Sequence, residues 1–326
     1  MDQVIIQMLK KDTKLVFPLK SRWNYKKFNR LILSNWQLYL LLVPVVFYFL
    51  VFKYLPILGL QVAFKEYSVS RGIWGSPWVG FENFKRFFDA FFFKRLIFNT
   101  VGINLYNLLV GFPIPIILAL MINEVYNIRF KKIVQTVTYA PYFISIVVLG
   151  AMMISFFSPN TGIVNNAVKS LGGTPIAFMT EPRYFWHMYV LSGIWQNAGW
   201  NAIIYIAALT GIDWEQHEAA IMDGATKLQR IRYINIPGIL PTIVILFILA
   251  IGNMMGDNFE KIYIMQNELN REASDVISTF VYRTAFVEGM DISFSSAVGL
   301  FNSTINFILL ITVNGIAKKI GNNSLW

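Results

Sequence analysis

Few side chains in this sequence could do covalent chemistry. Its 326 residues include no cysteine and two histidines, His187 and His217. Without thiols, a disulfide framework, a thiolate metal site and a cysteine nucleophile are all excluded, and two histidines leave no room for a His-rich metal site. No G-x4-G-K-[ST] phosphate loop occurs, so the chain carries no ATPase engine of its own. His187 lies among aromatics and His217 in a polar loop. Neither belongs to a Ser/His/Asp or Cys/His set at a plausible site, so the chain reads as a non-enzyme.

The informative polar groups lie inside apolar stretches. In residues 185–210, Gln196 and Trp200 share one helical face, Asn197 and Asn201 share another, and Trp195 stands alongside. In residues 294–317, Ser295, Gly299, Asn302 and Asn306 form one small and polar stripe at helical spacing. Polar groups in hydrocarbon cost free energy unless they pair or line a wet cavity. Amides answer hydroxyls, and indole faces cover the C–H surface of a sugar ring, so this set suits a carbohydrate path. The absence of charged clusters within these stretches argues against a proton or ion relay. Trp195 and Trp200 are separated by about 140° of helix, so only one can face the path; Trp200, which shares its face with Gln196, is the expected one. Asn, Ser and Gly in membrane helices also mediate helix packing, and that reading stands beside the first.

These residues need membrane helices to position them. A chain that is 56% hydrophobic and 14% charged suits a multispan membrane protein rather than a soluble domain. Apolar runs predict six spans, at residues 38–54, 96–122, 133–157, 185–210, 237–255 and 294–317. Segments 60–95, 158–184 and 257–291, mixed in charge and rich in turn residues, fall between them as external loops. The first segment, 1–36, is basic through Lys10, Lys11, Lys14, Lys20, Arg22, Lys26, Lys27 and Arg30, and the run after it lacks the small-x-small site of a cleaved signal peptide. Most of the net charge of +10 falls on segments that six spans place inside, with both termini cytosolic. The charge is therefore an orientation signal rather than a nucleic-acid footprint. The expected organisation is a basic lead-in (1–36), a first span with its external loop (37–95), a core of five spans (96–320) and a short tail (321–326).

Between the fourth and fifth spans, residues 213–241 read DWEQHEAAIMDGATKLQRIRYINIPGILP. Asp213 with Gln216, and Thr226 with Gln229, are capping-box patterns that predict two short helices, with Gly224 as the Cβ-free corner between them. Pro237 and Pro241 are expected to stop the second helix and restart the chain at a span.

This interval resembles the E-A-A-x3-G-x9-I-x-L-P loop of binding-protein-dependent ABC importers, departing only at Ile236. Further likeness comes from Trp78-Val79-Gly80-Phe81-Glu82-Asn83-Phe84, from residues 52–56, 275–283 and 294–303, and from the C-terminal close at 317–326. These are similar to the LplB-like branch of the sugar permeases. The resemblance implies an all-α integral membrane protein with six transmembrane helices, of the type I ABC importer permease fold, with a cytosolic EAA coupling helix. It assigns ATPase coupling to Glu218, Ala219, Ala220, Asp223, Gly224 and Pro237. It also implies a bacterial cytoplasmic membrane location and an oligosaccharide cargo derived from polysaccharide. The implied partners are a second homologous permease subunit, two ATPase subunits that bind ATP and Mg, an extracytoplasmic sugar-binding lipoprotein and membrane lipid; no cofactor belongs to this chain. A permease for a non-sugar solute and a non-transport scaffold or sensor are the alternatives.

Overall fold

A computed structural model describes residues 35–256 and 258–321. The lysines and arginines of the basic lead-in, and the closing tail from residue 322 on, lie outside them. Among the described residues the chain is helical throughout, its one β element an isolated bridge between Lys65 and Trp78. It divides into two compact units, Met1–Gly59 and Leu60–Trp326.

In the first unit, helix α1 (Trp36–Phe49) passes into a π turn at Leu50–Tyr54 and then into a 3-10 stretch, Leu55–Phe64, which crosses the unit boundary. Its surface is apolar and exposed, with Leu41 and Phe47 among the most open residues, as a lipid-facing helix requires.

In the second unit, short helices α2 (Gly72–Gly75) and α3 (Glu82–Phe88) precede α4 (Phe93–Tyr106), a π turn at Asn107–Gly111 and α5 (Pro113–Asn123). Helix α6 (Ile128–Tyr139) and a 3-10 turn (Ala140–Phe143) lead to α7 (Ile146–Phe156). Then come α8 (Ile163–Ser170), α9 (Pro182–Thr210), α10 (Trp214–Met222) and α11 (Lys227–Arg230). A π turn at Ile231–Asn235 joins α11 to α12 (Ile236–Gly252). The short helices α13 (Phe259–Met265), α14 (Arg271–Ser274) and α15 (Ile277–Phe286) precede the long α16 (Ile292–Gly321).

Four stretches, Trp36–Phe64, Phe93–Asn123, Lys227–Gly252 and Ile292–Lys319, are long and apolar enough to cross a membrane. The expected third span is not straight. Ile128–Phe143 and Ile146–Phe156 meet at 97°, because Pro141 ends one helix and Ser145 caps the next by accepting from the Val148 amide. Helix α9 has 29 residues, about 43 Å of rise, and its tryptophans and amides make it more polar than the other long helices.

The prolines do not break the chain as the sequence predicts. Pro237 and Pro241 sit within one continuous helix, the latter inside α12. A proline ring clashes with the carbonyl four residues back, and each π turn here comes two residues before a proline: Pro56, Pro113 and Pro237. The residue before each proline donates to the carbonyl five back: Leu55 to Leu50, Phe112 to Asn107, Ile236 to Ile231. The wider turn relieves the clash while keeping the helix intact.

Helix α9 organises the second unit. One face packs on α7 and α13 through Leu149, Met153, Met188, Val190, Ile262 and Met265. Its C-terminal half packs on α5 and α12 through Ala119, Leu120, Ala202, Tyr205, Leu209 and Ile239. The connections are fixed by buried asparagines as well as by apolar packing. Asn165 is fully buried and bonds Phe157, Ser158 and Ile176 backbone groups, while Asn270 bonds the Met179 and Met265 carbonyls. Through these bonds and the buried Ile262, Met265, Val276, Ile277 and Phe280, segment 258–291 packs into the helix core.

Gly199 marks the closest helix approach, since a Cβ there would lie 2.0 Å from the Thr138 carbonyl oxygen of α6. Backbone cannot yield to that extent. Gly199→Ala is expected to cost about 1–3 kcal/mol, read as a lower thermal midpoint of the detergent-solubilised protein, whereas Gly315→Ala, with nothing within 4 Å of its Cβ, leaves the midpoint unchanged.

Candidate functional site: a polar cavity and a capped helix pair

A cavity of about 960 Å³ opens between α4 with its following π turn, α9, α12 and α13. Amides dominate its polar lining: Asn104 and Asn107, Asn197 and Asn201, Asn253 and Asn258. Asn104 and Asn197 each donate to the carbonyl four residues back, Thr100 at 2.8 Å and Gly193 at 2.9 Å. Their amide oxygens take no partner among the described residues and are available to accept from hydroxyls. Gln196 also borders the cavity but is buried, and its Nε2 donates to the Ile144 carbonyl at 2.8 Å. That carbonyl lies in the break between α6 and α7, so Gln196 fastens the bend to α9.

One charge is buried in the cavity wall. Lys261 on α13 is 5% exposed, donates from Nζ to the Tyr189 carbonyl at 2.8 Å and stands 4.8 Å from the Tyr189 ring centroid. Burial pushes its ammonium down from the ordinary value of 10.5 to about 7. Nearby Arg283 behaves oppositely. Burial alone would lower its pKa, but the hydrogen bonds and charges of Asp275 and Glu288 outweigh that and raise it. Its guanidinium grips the fully buried Asp275 carboxylate at 3.0 and 3.2 Å. Among the described residues no three His, Asp or Glu side chains converge as a metal site requires.

The residues singled out in the sequence separate in space. Gln196, Asn197 and Asn201 meet at the cavity. Trp195 faces a second, apolar cavity of about 670 Å³ beside Met152, Phe156 and His187. Trp200 stacks on Tyr142, centroids 4.3 Å apart and planes within 3°, so the face it shares with Gln196 holds the bend between α6 and α7. Asn306 Oδ1 accepts from the Met255 amide at 2.8 Å, and Asn302 Oδ1 is buried without a partner among the described residues. Sequence reading missed Asn104, Asn107, Asn253, Asn258 and Lys261 as one site. The three-residue spacing of Asn104 and Asn107 in an apolar span was the available signal.

The loop between α9 and α12 is the second feature. Asp213 caps α10 by accepting from the Glu215 amide, not from Gln216 as the box pattern predicts. Thr226 and Gln229 do form the reciprocal box on α11. Between them Gly224 takes φ +78°; its amide bonds the Ile221 carbonyl and the Ala225 amide bonds Ala220, a Schellman close that needs the left-handed backbone glycine allows. Glu218, Ala219 and Asp223 are exposed and Ala220 half-buried. Glu218 accepts from Trp214 Nε1 at 3.0 Å, which holds the carboxylate on the outer face of α10. Beneath the pair, Arg230 is buried and lies 3.6 Å from Glu124 at the end of α5, and Asn235 donates to the same carboxylate. Pro237 follows on the exposed side of α12.

The helical membrane fold is shared with known proteins. Residues 111–322 match the family described as binding-protein-dependent transport system inner membrane component, and the chain belongs to it: it is a permease subunit of an ABC importer. It is similar to protein LplB of Bacillus subtilis (strain 168), 44% identical over 89% of this chain and 91% of that protein. It is also similar to the polygalacturonan/rhamnogalacturonan transport system permease protein YteP of the same organism, 40% identical over 89% and 90%. Among solved structures, it matches a bacterial ABC transporter involved in the import of the acidic polysaccharide alginate, with a TM-score of 0.84 and 38% identity, covering 90% of this chain and 99% of that one. The same likeness, at 91% and 99% coverage, holds for that transporter in complex with an alginate pentasaccharide-bound periplasmic protein.

Proposed function

We propose that the chain passes a polysaccharide-derived oligosaccharide across the cytoplasmic membrane through the asparagine-lined cavity, using ATP hydrolysed on partner subunits. The observation that carries this reading is the cavity itself, whose convergent amides match the donors and acceptors of sugar hydroxyls. The named substrates of its relatives, polygalacturonan, rhamnogalacturonan and alginate, support the same cargo class. Helix α9 and the bent α6–α7 pair join the four long apolar helices as six spans, with both termini and the 213–241 loop in the cytosol. In that loop Glu218, Ala219, Ala220, Asp223 and Gly224 seat on an ATPase subunit, with Pro237 fixing the chain's re-entry. A second permease subunit faces α16, where Asn302 and Asn306 lie, and a binding protein delivers the sugar from outside.

Within the path, Asn197 and Asn201 contact sugar, whereas Gln196, Trp200 and Trp195 shape the helix bend and its surroundings. In proteoliposomes holding the whole importer, Asn197→Ala and Asn201→Ala are expected to raise the half-saturating oligosaccharide concentration several-fold, one hydrogen bond contributing about 1 kcal/mol. A panel of oligosaccharides that leaves ATP hydrolysis and uptake at the basal rate sinks the reading. So does normal transport by both asparagine variants in an assembled complex.

A further inference from the structure

The cavity wall contains a cation that a neutral sugar does not require. Lys261 is 95% out of contact with solvent, and its described polar partner is a backbone carbonyl, Tyr189 O, rather than a carboxylate. A buried ammonium facing a neutral carbonyl and an aromatic ring is poorly compensated, since desolvation removes hydration that these partners replace only in part. The lysine is held rather than loosely tucked in: a Cβ on Gly193 would lie 3.1 Å from Nζ, so a bare glycine on α9 makes room for the amine. Its neighbour Glu260 also borders the cavity but is exposed, where water screens its charge.

Resting on the oligosaccharide reading above, we propose that this site takes an acidic saccharide, with the Lys261 ammonium pairing a uronate carboxylate while the asparagines answer the ring hydroxyls. One buried unit charge matches one carboxylate, and an ion pair in a site with little water is worth far more than at the surface. The same arrangement discriminates: a neutral sugar leaves the amine uncompensated, so the pair specifies charge as well as shape.

Among the described residues, the ionisable groups packed around α13 leave the role to Lys261. Helix α7 carries none. Helix α9 offers Tyr189, Tyr205, which also lines the cavity, and His187, the last bonded through Nδ1 to Tyr106. Helix α15 offers Tyr282 and Arg283, and Arg283 is committed to Asp275 and Glu288. A lysine whose pKa is held to about 7 is charged below that pH and neutral above it. Acid-sugar recognition therefore strengthens as pH falls from about 8 to about 6, where uronates remain ionised.

The test uses the assembled importer with its second permease, ATPase pair and binding protein, and two probes of one shape, trigalacturonate and its methyl ester. On the solubilised complex without binding protein, trigalacturonate is expected to slow acylation of Lys261 by an amine reagent at least about tenfold at pH 7, and the ester is expected to leave it unchanged. Lys261→Met should remove acid-stimulated ATP hydrolysis and spare the ester-stimulated rate, with Lys261→Arg retaining the preference for acid. Equal protection by both probes, protection by a sugar phosphate alone, or loss of both activities in Lys261→Met overturns the proposal while leaving an oligosaccharide importer in place. If neither probe nor any neutral oligosaccharide stimulates hydrolysis, the oligosaccharide reading itself fails.

Discussion

Gly224→Val is expected to uncouple ATP hydrolysis from transport if the loop seats on an ATPase subunit: the variant should insert and reach the membrane at normal abundance, while sugar no longer accelerates hydrolysis and uptake falls at least tenfold. At φ +78° a branched Cβ collides with its own backbone, a cost on the order of 1–2 kcal/mol that the loop avoids by abandoning the left-handed residue. The Schellman bonds from Gly224 and Ala225 are then lost, and α10 swings relative to α11. Because no atom beyond the adjoining residues lies within 4 Å of a Cβ at this position, the defect is local backbone strain and not a clash with a packed neighbour. Gly224→Asn supplies the control, since asparagine tolerates the left-handed region and should keep most of the coupling. Normal sugar-stimulated uptake by the valine variant would show that the corner angle is irrelevant to the ATPase.

The second large effect is expected at Glu124, far from the loop in sequence but beneath it in space. Its carboxylate faces Arg230 at 3.6 Å and receives the Asn235 amide at 3.3 Å. The arginine side chain is 7% exposed, so Glu124→Ala leaves a guanidinium buried without its counter-charge. Removing one partner of such a pair costs about 3–5 kcal/mol. The loop is expected to detach from α5, and complex yield after ATPase co-purification should fall sharply. Glu124→Ala with Arg230→Met removes the stranded charge and should restore much of the yield; a double variant no better than the single one would show that the pair is not what anchors α11.

How legible each feature was depended on how local its cause is. The middle of the 213–241 loop could be read because capping residues and a corner glycine act over three or four positions, and Thr226, Gln229 and Gly224 do what their types dictate, whereas Asp213 caps through Glu215 and Pro237 and Pro241 leave the helix continuous. The long apolar helices could be read because hydrophobicity accumulates along one segment. The 97° bend was carried by Pro141 and Ser145, weak signals inside an apolar run that drowned them. The cavity was only half readable. Asn197 and Asn201 share a helix, but Asn104, Asn253, Asn258 and Lys261 come from three other elements, and nothing in linear spacing announces their convergence. Trp200 shows a related limit of linear pattern: that its ring stacks on Tyr142 at the bend follows from tertiary packing and not from its helical face.

The π turn at Ile231–Asn235 makes the span below the loop one residue longer than its pitch requires. Such a surplus residue is a stored rotation. Deleting it from an α-helix would turn everything before it by about 100° about the axis while shortening the rise by only about 1.5 Å. The capped pair would thus be re-aimed with hardly any change in depth, so the proline that forces the wide turn also sets the compass bearing of the loop.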